Sequence, residues 1–339
     1  ILTSNLIVER QHFNHLMGFI MGALLIEGLI GNYYFFVTLA GSLDGVEAIT
    51  EHSSAIHMNL VFVLALAVWM YKTSAIKKIA LLVMVPIITI PYLATQRRAA
   101  FIVLALAIFL VTVVLYKENR RAFLIITPPL AIAGLLYILA FWNSTSTIGL
   151  PAQAIKSILF EEQANTSDYL SNLYRQVENV NLHFTLRQEP ITGVGFGRPF
   201  YILIPMADIS FFTWWQYLPH NSILWIWLKM GIGGFITTLF FIGWAVITGT
   251  RALRRLPKNE LSAIALVATL YILMHFTYAY VDISWDFQSM ILVGTMMGIL
   301  NSIEHVVAQP VPIPAKRWHW QSISQPPPGL LPLTEEKSV

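Results

Sequence analysis

Long apolar runs recur along the chain, and short polar connections separate them. A helix needs about 20 apolar residues to cross the hydrocarbon core of a bilayer, and most of the runs reach that length. The pattern predicts eight membrane-spanning helices, near residues 13–38, 55–71, 76–95, 98–116, 121–142, 220–250, 260–281 and 285–303. The predicted fold class is therefore all-α, a polytopic integral membrane protein.

One connection, residues 143–219, is much longer than the others at 77 residues, and we call it the large loop. Ordered connections of this length are usually functional. Within it, residues 151–160 and 168–187 have apolar spacing that predicts short helices, and residues 165–168 supply an N-cap for the second. An aromatic cluster at the membrane interface is also predicted, formed by Phe211, Phe212, Trp214, Trp215 and Tyr217.

These patterns divide the chain into four predicted parts. They are N-terminal transmembrane helices (1–142), the large loop (143–219), C-terminal transmembrane helices (220–305) and a Pro-rich tail (306–339) that is expected to be disordered and cytoplasmic. The chain begins with Ile1, and no basic region with a cleavage site precedes the first apolar run. We therefore expect that the N-terminal part is truncated.

The composition supports the same class of protein. Of the 339 residues, 56% are hydrophobic and only 12% are charged, whereas soluble domains are about 25% charged. The absence of Cys excludes disulfides, thiol catalysis and Cys-ligated metal sites. The formal net charge is only +3, and short basic clusters between apolar runs are typical of orientation signals rather than of nucleic-acid binding.

The basic residues also predict how the chain is oriented. Cytoplasmic connections of membrane proteins are enriched in Lys and Arg, so residues 39–54, 143–219 and 282–284 are predicted to lie outside. The residues that mark the cytoplasmic side are Arg10, Lys72, Lys77, Lys78, Lys117, Arg120, Arg121, Arg251, Arg254, Arg255 and Lys258, with Lys316, Arg317 and Lys337 in the tail.

Two arginines depart from this charge rule. Arg97 and Arg98 stand at the outer end of the fourth predicted span, and Arg175, Arg187 and Arg198 lie in the large loop on the same side. One guanidinium group can bind two phosphate oxygens at once. The arginines therefore indicate a cationic pocket for a phosphate-bearing ligand above the bilayer. The alternative is that these side chains reach lipid phosphates.

A histidine is the candidate base at the same end. His220 and Asn221 follow Pro219 where the sixth span begins, and a neutral imidazole there is suited to take a proton from a hydroxyl. The alternative is an interfacial histidine that binds lipid headgroups. Upstream, residues 193–197 (GVGFG) lack the strand, helix and acidic residue of a nucleotide loop, so a tight turn that admits a ligand or a neighbouring helix is favoured.

Three ionisable residues lie inside predicted spans: Glu27, Lys229 and His275. Such residues are costly in a membrane and are functional candidates by default, although Glu27 and Lys229 equally suit pairing or snorkelling. They make a membrane transporter the alternative function from a different class, whereas a non-catalytic scaffold needs no cluster of outer Arg and His residues.

As an ordered set, these motifs resemble the O-antigen ligase and O-antigen polymerase superfamily of bacterial envelope glycosyltransferases. The resemblance covers about residues 96–234 by motif and most of the chain by hydropathy. Its marks are TQRRA at residues 95–99, an arginine in the large loop ahead of PITGVG at 190–195, and His220-Asn221 followed by Gly231 and Gly234. The chain departs from the family at Lys229, where an acidic residue is common, and in having fewer predicted N-terminal spans.

The resemblance implies a multi-pass enzyme of the bacterial inner (cytoplasmic) membrane whose active site faces the periplasm. The implied reaction is a metal-independent, inverting transfer of a glycan from undecaprenyl pyrophosphate to an acceptor hydroxyl, and it requires no cofactor. Ligation of O-antigen to the lipid A core, in lipopolysaccharide biosynthesis, is favoured. The alternative within the family is polymerisation of O-antigen or exopolysaccharide.

Carried over by position, the resemblance assigns catalysis to three residues. His220 is expected to activate the acceptor hydroxyl, and Arg98 and Arg175 to hold the pyrophosphate. Arg98 matches because small residues follow it, and Arg175 because 18 residues separate it from Gly193. The predicted substrate-binding residues are Arg97, Arg187, Arg198, Asn221, Gly193 and Gly195. The implied partners are the lipid-linked glycan donor, the lipid A core or glycan acceptor, and the bilayer.

Overall fold

The computed structural model describes residues 2–43, 46, 48–51, 53–144, 146–160, 162 and 166–308, and this part of the chain is helical and contains no β-strand. Its helices are α1 (Leu2–Leu6), α2 (Arg10–Tyr33), α3 (Ser54–Met70), α4 (Ala75–Ala94), α5 (Arg98–Glu118), α6 (Arg120–Ala140), α7 (Leu150–Leu159), α8 (Thr166–Gln188), α9 (Ser222–Arg255), α10 (Glu260–Tyr278) and α11 (Phe287–Ala308). A π-helical turn, Tyr34–Thr38, extends α2, and a 3₁₀ turn, Thr147–Gly149, precedes α7.

The eight predicted spans all correspond to helices. Within the described residues, seven helical segments are long and apolar enough to cross a membrane: Arg10–Thr38, α4, α5, α6, α9, α10 and Phe287–Val307. The eighth, α3, is apolar but has 17 residues, which at 1.5 Å per residue make a helix of about 26 Å. The predicted fold class, a polytopic all-α membrane protein, is confirmed.

Helix α10 lies at the centre of the bundle. It is buried along almost its whole length and packs against α9, α3 and α5. The pairing of α2 with α4 depends on two small residues, since a Cβ on Gly28 or Gly31 would collide with Ile88 or Pro91. Small residues allow membrane helices to approach closely in this way. By contrast, α6 has no buried residue and packs beside α5 and α7.

The large loop contains the two short helices that its sequence predicts, α7 and α8. Part of the predicted N-cap, Asn165, lies outside the described residues, as does the Pro-rich tail from residue 309 onward. The four-part division of the chain stays a prediction.

The two ends of the bundle differ in character. At one end, which we call the basic end, ion pairs link neighbouring elements: Lys258 with Glu118 at 2.5 Å and Arg255 with Glu304 at 3.1 Å. At the other end, which we call the cavity end, Arg98 at the start of α5 and His220 just before α9 contact helix α8. The connection that precedes α11 contacts the first residue of α9 there. Which side of the membrane each end faces stays a prediction.

Candidate active site

Helix α8 supplies one wall of the site through a polar stripe. Asp168, Asn172, Arg175 and Asn179 are spaced four, three and four residues apart, so they lie on one face of the helix. Glu178, next to this stripe, is only 1% exposed. Charged side chains that face the bundle need groups of opposite charge or hydrogen-bond partners there. Residues at the starts of α5 and α9 supply them to α8.

Glu178 binds His220 at two points. The backbone N–H of His220 donates to Oε2 of Glu178 at 2.9 Å, and Nδ1 of the imidazole lies 3.2 Å from the same oxygen and 3.3 Å from Oε1. The carboxylate is buried, whereas the imidazole is 20% exposed. The histidine is therefore held from behind and open on its other side.

This contact determines which imidazole nitrogen is available. A carboxylate only accepts hydrogen bonds, so a neutral His220 carries its proton on Nδ1 and leaves the lone pair on Nε2. A histidine oriented by a carboxylate in this way is the arrangement that general-base catalysis requires. Glu178 was not among the sequence-predicted residues, although its spacing of three from Arg175 places both on adjacent parts of one helical face.

Tyr174 contacts the imidazole one helical turn before Glu178. Its ring lies edge-on to that of His220, with centroids 5.6 Å apart and planes at 73°. Burial, and secondarily the nearby carboxylate of Glu178, raise the pKa of Tyr174 above its ordinary value. Its hydroxyl therefore remains a hydrogen-bond donor at neutral pH.

A cationic cavity lies beside the pair formed by His220 and Glu178. It has a volume of about 290 Å³, and Arg97, Arg98 and Arg175 line it together with the carboxylates of Asp168 and Asp282. Two arginines from the start of α5 and one from α8 are thus brought together, as the sequence predicted. Three guanidinium groups against two carboxylates leave an excess of positive charge.

Arg98 is bound by the protein on all three of its nitrogens. Nε lies 3.3 Å from Oδ1 of Asp168, and the terminal nitrogens donate to Ser157 and Asn172, each at 3.1 Å. This residue therefore ties α5 to both α7 and α8. It faces the cavity, but its hydrogen-bonding capacity is largely used within the protein.

Arg175 differs from Arg98 in this respect. Its Nε is buried and has no hydrogen-bond partner among the described residues. A buried donor without a partner is unfavourable, and an anion in the cavity would supply the acceptor. Arg175 therefore has more unused capacity than Arg98 to bind a ligand oxygen.

Asp282 connects the cavity to the first turn of α9. Its side chain is 1% exposed and accepts a hydrogen bond from the Tyr278 hydroxyl at 2.8 Å, while its carbonyl accepts one from Ser222 at 3.1 Å. Ser222 is the second residue after His220, so the histidine and the cationic cavity share one framework. Asp282 lies in a short predicted outer connection, but nothing in its local sequence distinguishes it from an ordinary turn residue.

Asn221 and Gly193 have structural contacts, whereas Gly195 faces open space. Asn221 caps α9 by accepting from the Leu224 N–H at 3.0 Å and donates to Asn179 at 3.0 Å. Gly193 has φ 65°, and a Cβ there would lie 2.5 Å from the Leu228 carbonyl oxygen. Gly195 has φ 83°, and a Cβ there would meet no atom within 4 Å. Close approach to a neighbouring helix accounts for Gly193, and the substrate-binding roles of all three stay predictions.

The turn at Gly193 fits into a break in α9. Gly231 interrupts that helix with φ 68° and ψ −176°. The Val194 N–H donates to the Leu228 carbonyl at 2.7 Å, and the Ile232 N–H donates to the Ile191 carbonyl at 3.2 Å. The segment 191–194 therefore satisfies backbone groups that the helix itself leaves open.

The two remaining arginines lie away from the cavity lining. Arg187 is exposed, 12 residues after Arg175 on α8, which corresponds to about 18 Å along the helix. Arg198 is also exposed, and its carbonyl accepts a hydrogen bond from Lys229. Lys229 is 3% exposed, with its Nζ 5.6 Å from the centroid of the Tyr217 ring. This lysine fastens the large loop to α9, which gives a physical reason for a cation at that position.

Glu27 and His275 each line a different cavity, and neither lines the cationic cavity. Glu27 lines a polar cavity of about 760 Å³ together with Glu51 and Arg97. His275 is 2% exposed, stacks on Tyr271 and borders an apolar cavity between α9, α10 and α11. Among the residues that the structure describes, no group of three or more His, Asp or Glu side chains is arranged to hold a metal ion.

Comparison with known proteins bears on this cluster. Residues 87–239 match the family model described as O-antigen ligase. The chain is also 26% identical over 255 residues to the O-antigen ligase of Salmonella typhimurium, in an alignment that covers 72% of this chain and 58% of that relative. The chain thus spans little more than half the length of the curated relative. These matches confirm the resemblance to the O-antigen ligase and polymerase superfamily, over a region that contains Arg98, Arg175, Glu178 and His220.

Proposed function

We propose that this protein is a glycosyltransferase that moves a glycan from undecaprenyl pyrophosphate to an acceptor hydroxyl at the outer face of the inner membrane. The observation that carries the proposal is the buried Glu178 behind His220, beside a cavity lined by three arginines. Ligation of O-antigen to the lipid A core is the favoured reaction because the matching relative is described as an O-antigen ligase.

In the proposed reaction His220 is the general base. The acceptor oxygen attacks the anomeric carbon while Nε2 of His220 takes the hydroxyl proton, and Glu178 stabilises the imidazolium through Nδ1. The bond from the anomeric carbon to the phosphate oxygen breaks, and its electron pair leaves with undecaprenyl pyrophosphate. Attack opposite the leaving group inverts the anomeric configuration.

The arginines are proposed to stabilise the departing pyrophosphate. Fixed positive charge that faces the position where negative charge develops lowers the barrier without reorganisation. Arg175 has an unused buried donor for this purpose. Arg98, which Asp168 and Asn172 hold in place, contributes charge and fixes the distance between α5 and α8.

The proposal is tested by transfer from an undecaprenyl-pyrophosphate-linked glycan with the purified protein in liposomes. Lipid A core and free glycan are offered as separate acceptors, with and without a chelator. Glycan on the lipid A core indicates a ligase, and chain growth on a glycan indicates a polymerase. Retention of the rate in chelator is expected from the metal-independent mechanism, and loss of the rate would contradict it.

His220→Ala should lower the transfer rate by about 10²–10⁴-fold, the usual contribution of a general base. His183→Ala is the matched control, because His183 is an exposed histidine on α8, and it should leave the rate unchanged. Thermal melting of both variants verifies folding. A folded His220→Ala protein with the full rate would disprove the assigned base.

A further inference from the structure

Tyr174 has a hydroxyl that the protein does not use. The Tyr174 side chain is partly exposed, but its hydroxyl oxygen is buried and has no hydrogen-bond partner among the described residues. Buried polar groups of folded proteins are nearly all paired, so each exception calls for a reason. A hydroxyl that is satisfied only when a ligand arrives is one such reason.

The position of this hydroxyl connects it to the chemistry of the site. Tyr174 lies four residues before Glu178, so both face the same side of α8, and its ring is in edge contact with that of His220. The following residue, Arg175, lines the cationic cavity. Tyr174 thus contacts the proposed base and directly precedes, on the same helix, a residue of the proposed pyrophosphate site.

The chemical state of Tyr174 suits one task. The group remains a protonated phenol for the reasons given above, so it cannot take the acceptor proton, but it can donate a hydrogen bond to a neutral oxygen. The charged oxygens of a pyrophosphate already have arginines nearby. The Tyr174 ring contacts His220, and its unpaired hydroxyl is a donor available to a neutral oxygen of the acceptor.

Resting on the function proposed above, we infer that Tyr174 is an acceptor-binding residue whose hydroxyl donates to a sugar oxygen of the glycan that His220 activates. Its ring meanwhile packs against the imidazole and limits its rotation. The ring and the hydroxyl therefore have separable roles, and variants can remove one without the other.

Tyr174→Phe removes the hydroxyl and keeps the ring. We expect the KM for the acceptor to rise about 5–20-fold, as for the loss of one hydrogen bond of about 1–1.8 kcal/mol, while kcat and the affinity for the donor stay within about twofold. Direct binding of the acceptor glycan without donor should weaken by the same factor. Tyr174→Leu, which also removes the ring, should lower kcat in addition.

Tyr169→Phe is the matched control, because Tyr169 is 48% exposed on the same helix and should show no change. Weaker donor binding in Tyr174→Phe, or unchanged binding of both substrates, would overturn the acceptor assignment. Acceptor binding is measured without turnover, so this outcome is distinguishable from failure of the proposed reaction. If no transfer occurs in the parent protein, the function fails; if transfer occurs and Tyr174→Phe binds acceptor normally, only this inference fails.

Discussion

The basic end and the cavity end of the bundle both concentrate cations, but they treat them differently. At the basic end, Arg255 pairs with Glu304 through side chains that are 69% and 36% exposed. At the cavity end, His220 is held by a carboxylate that is 2% exposed, and Arg175 keeps a buried nitrogen without a partner. At the basic end, opposite charges pair at the water-exposed surface. At the cavity end, the charged groups are partly or fully buried.

This is the difference that we expect between charges that orient a membrane protein and charges that take part in the proposed reaction. Exposed ion pairs contribute about 0–1 kcal/mol each and are screened by salt. Partly buried groups act in a lower effective dielectric, where each interaction is stronger and each unpaired group is more costly. Substitutions at the two ends should therefore differ in size and also in the property that they change.

The largest effect is expected at Glu178. Glu178→Gln replaces an acceptor-only carboxylate by an amide, which cannot stabilise the imidazolium and can donate to Nδ1, so the proton then favours Nε2. We expect the transfer rate to fall about 10²–10⁴-fold with little change in donor affinity, measured by steady-state kinetics. Glu189→Gln, at the residue that follows the same helix, is the control, and equal rates in the two variants would argue against the orienting role.

The second-largest effect is expected for substitution of Arg175. Arg175→Lys keeps the charge but cannot reproduce the guanidinium geometry, so donor binding should weaken about 10–100-fold, the range for hydrogen bonds to charged groups. Binding of the lipid-linked donor is the measurement. The same change at Arg187 decides between the two loop arginines: a greater loss there would transfer the pyrophosphate role to Arg187.

Lys229 tests the attachment of the large loop. Lys229→Met removes the hydrogen bond to the Arg198 carbonyl and the contact with Tyr217. We expect a loss of stability of about 1.5–3 kcal/mol, the range for a hydrogen bond to a charged group, which lowers the thermal midpoint. Lys117→Met, at an exposed position in the last turn of α5, is the control, and an equal shift in both variants would contradict a fastening role.

The smallest effect is expected at the basic end. Arg255→Ala breaks an exposed pair with Glu304 and should change stability by no more than about 0.5 kcal/mol, with donor binding unaffected. Thermal melting and donor binding are both measured. If Arg255→Ala weakened donor binding as much as Arg175→Lys, the division between the two ends would not hold.

The spans and the cationic cavity could be predicted from sequence because each depends on short-range patterns. A run of about 20 apolar residues by itself predicts a membrane span. Helix α3 shows that the same pattern also detects a helix of 17 residues. Arg97 and Arg98 were detected because they break a charge rule that concerns their immediate surroundings. Their meeting with Arg175 followed from placing both segments on one side of the membrane.

Glu178 could not be predicted in the same way. Its contact with His220 joins residues that are 42 positions apart, and it depends on how the large loop folds back onto the start of α9. Lys229 is similar, because its partner is a backbone carbonyl that has no sequence signature. Gly193 left two alternatives open at the sequence level, a ligand or a neighbouring helix, and only the proximity of the Leu228 carbonyl distinguishes them.

The break at Gly231 has a consequence for how the protein is made. In the bilayer core, a backbone group without a partner costs several kcal/mol, and α9 obtains its missing partners from residues 191–194. Those residues are synthesised before α9, and in the predicted orientation they are already exported when the helix arrives. Their deletion should therefore first appear as failed insertion of α9, with the chain degraded by quality-control proteases before any loss of catalysis can be measured.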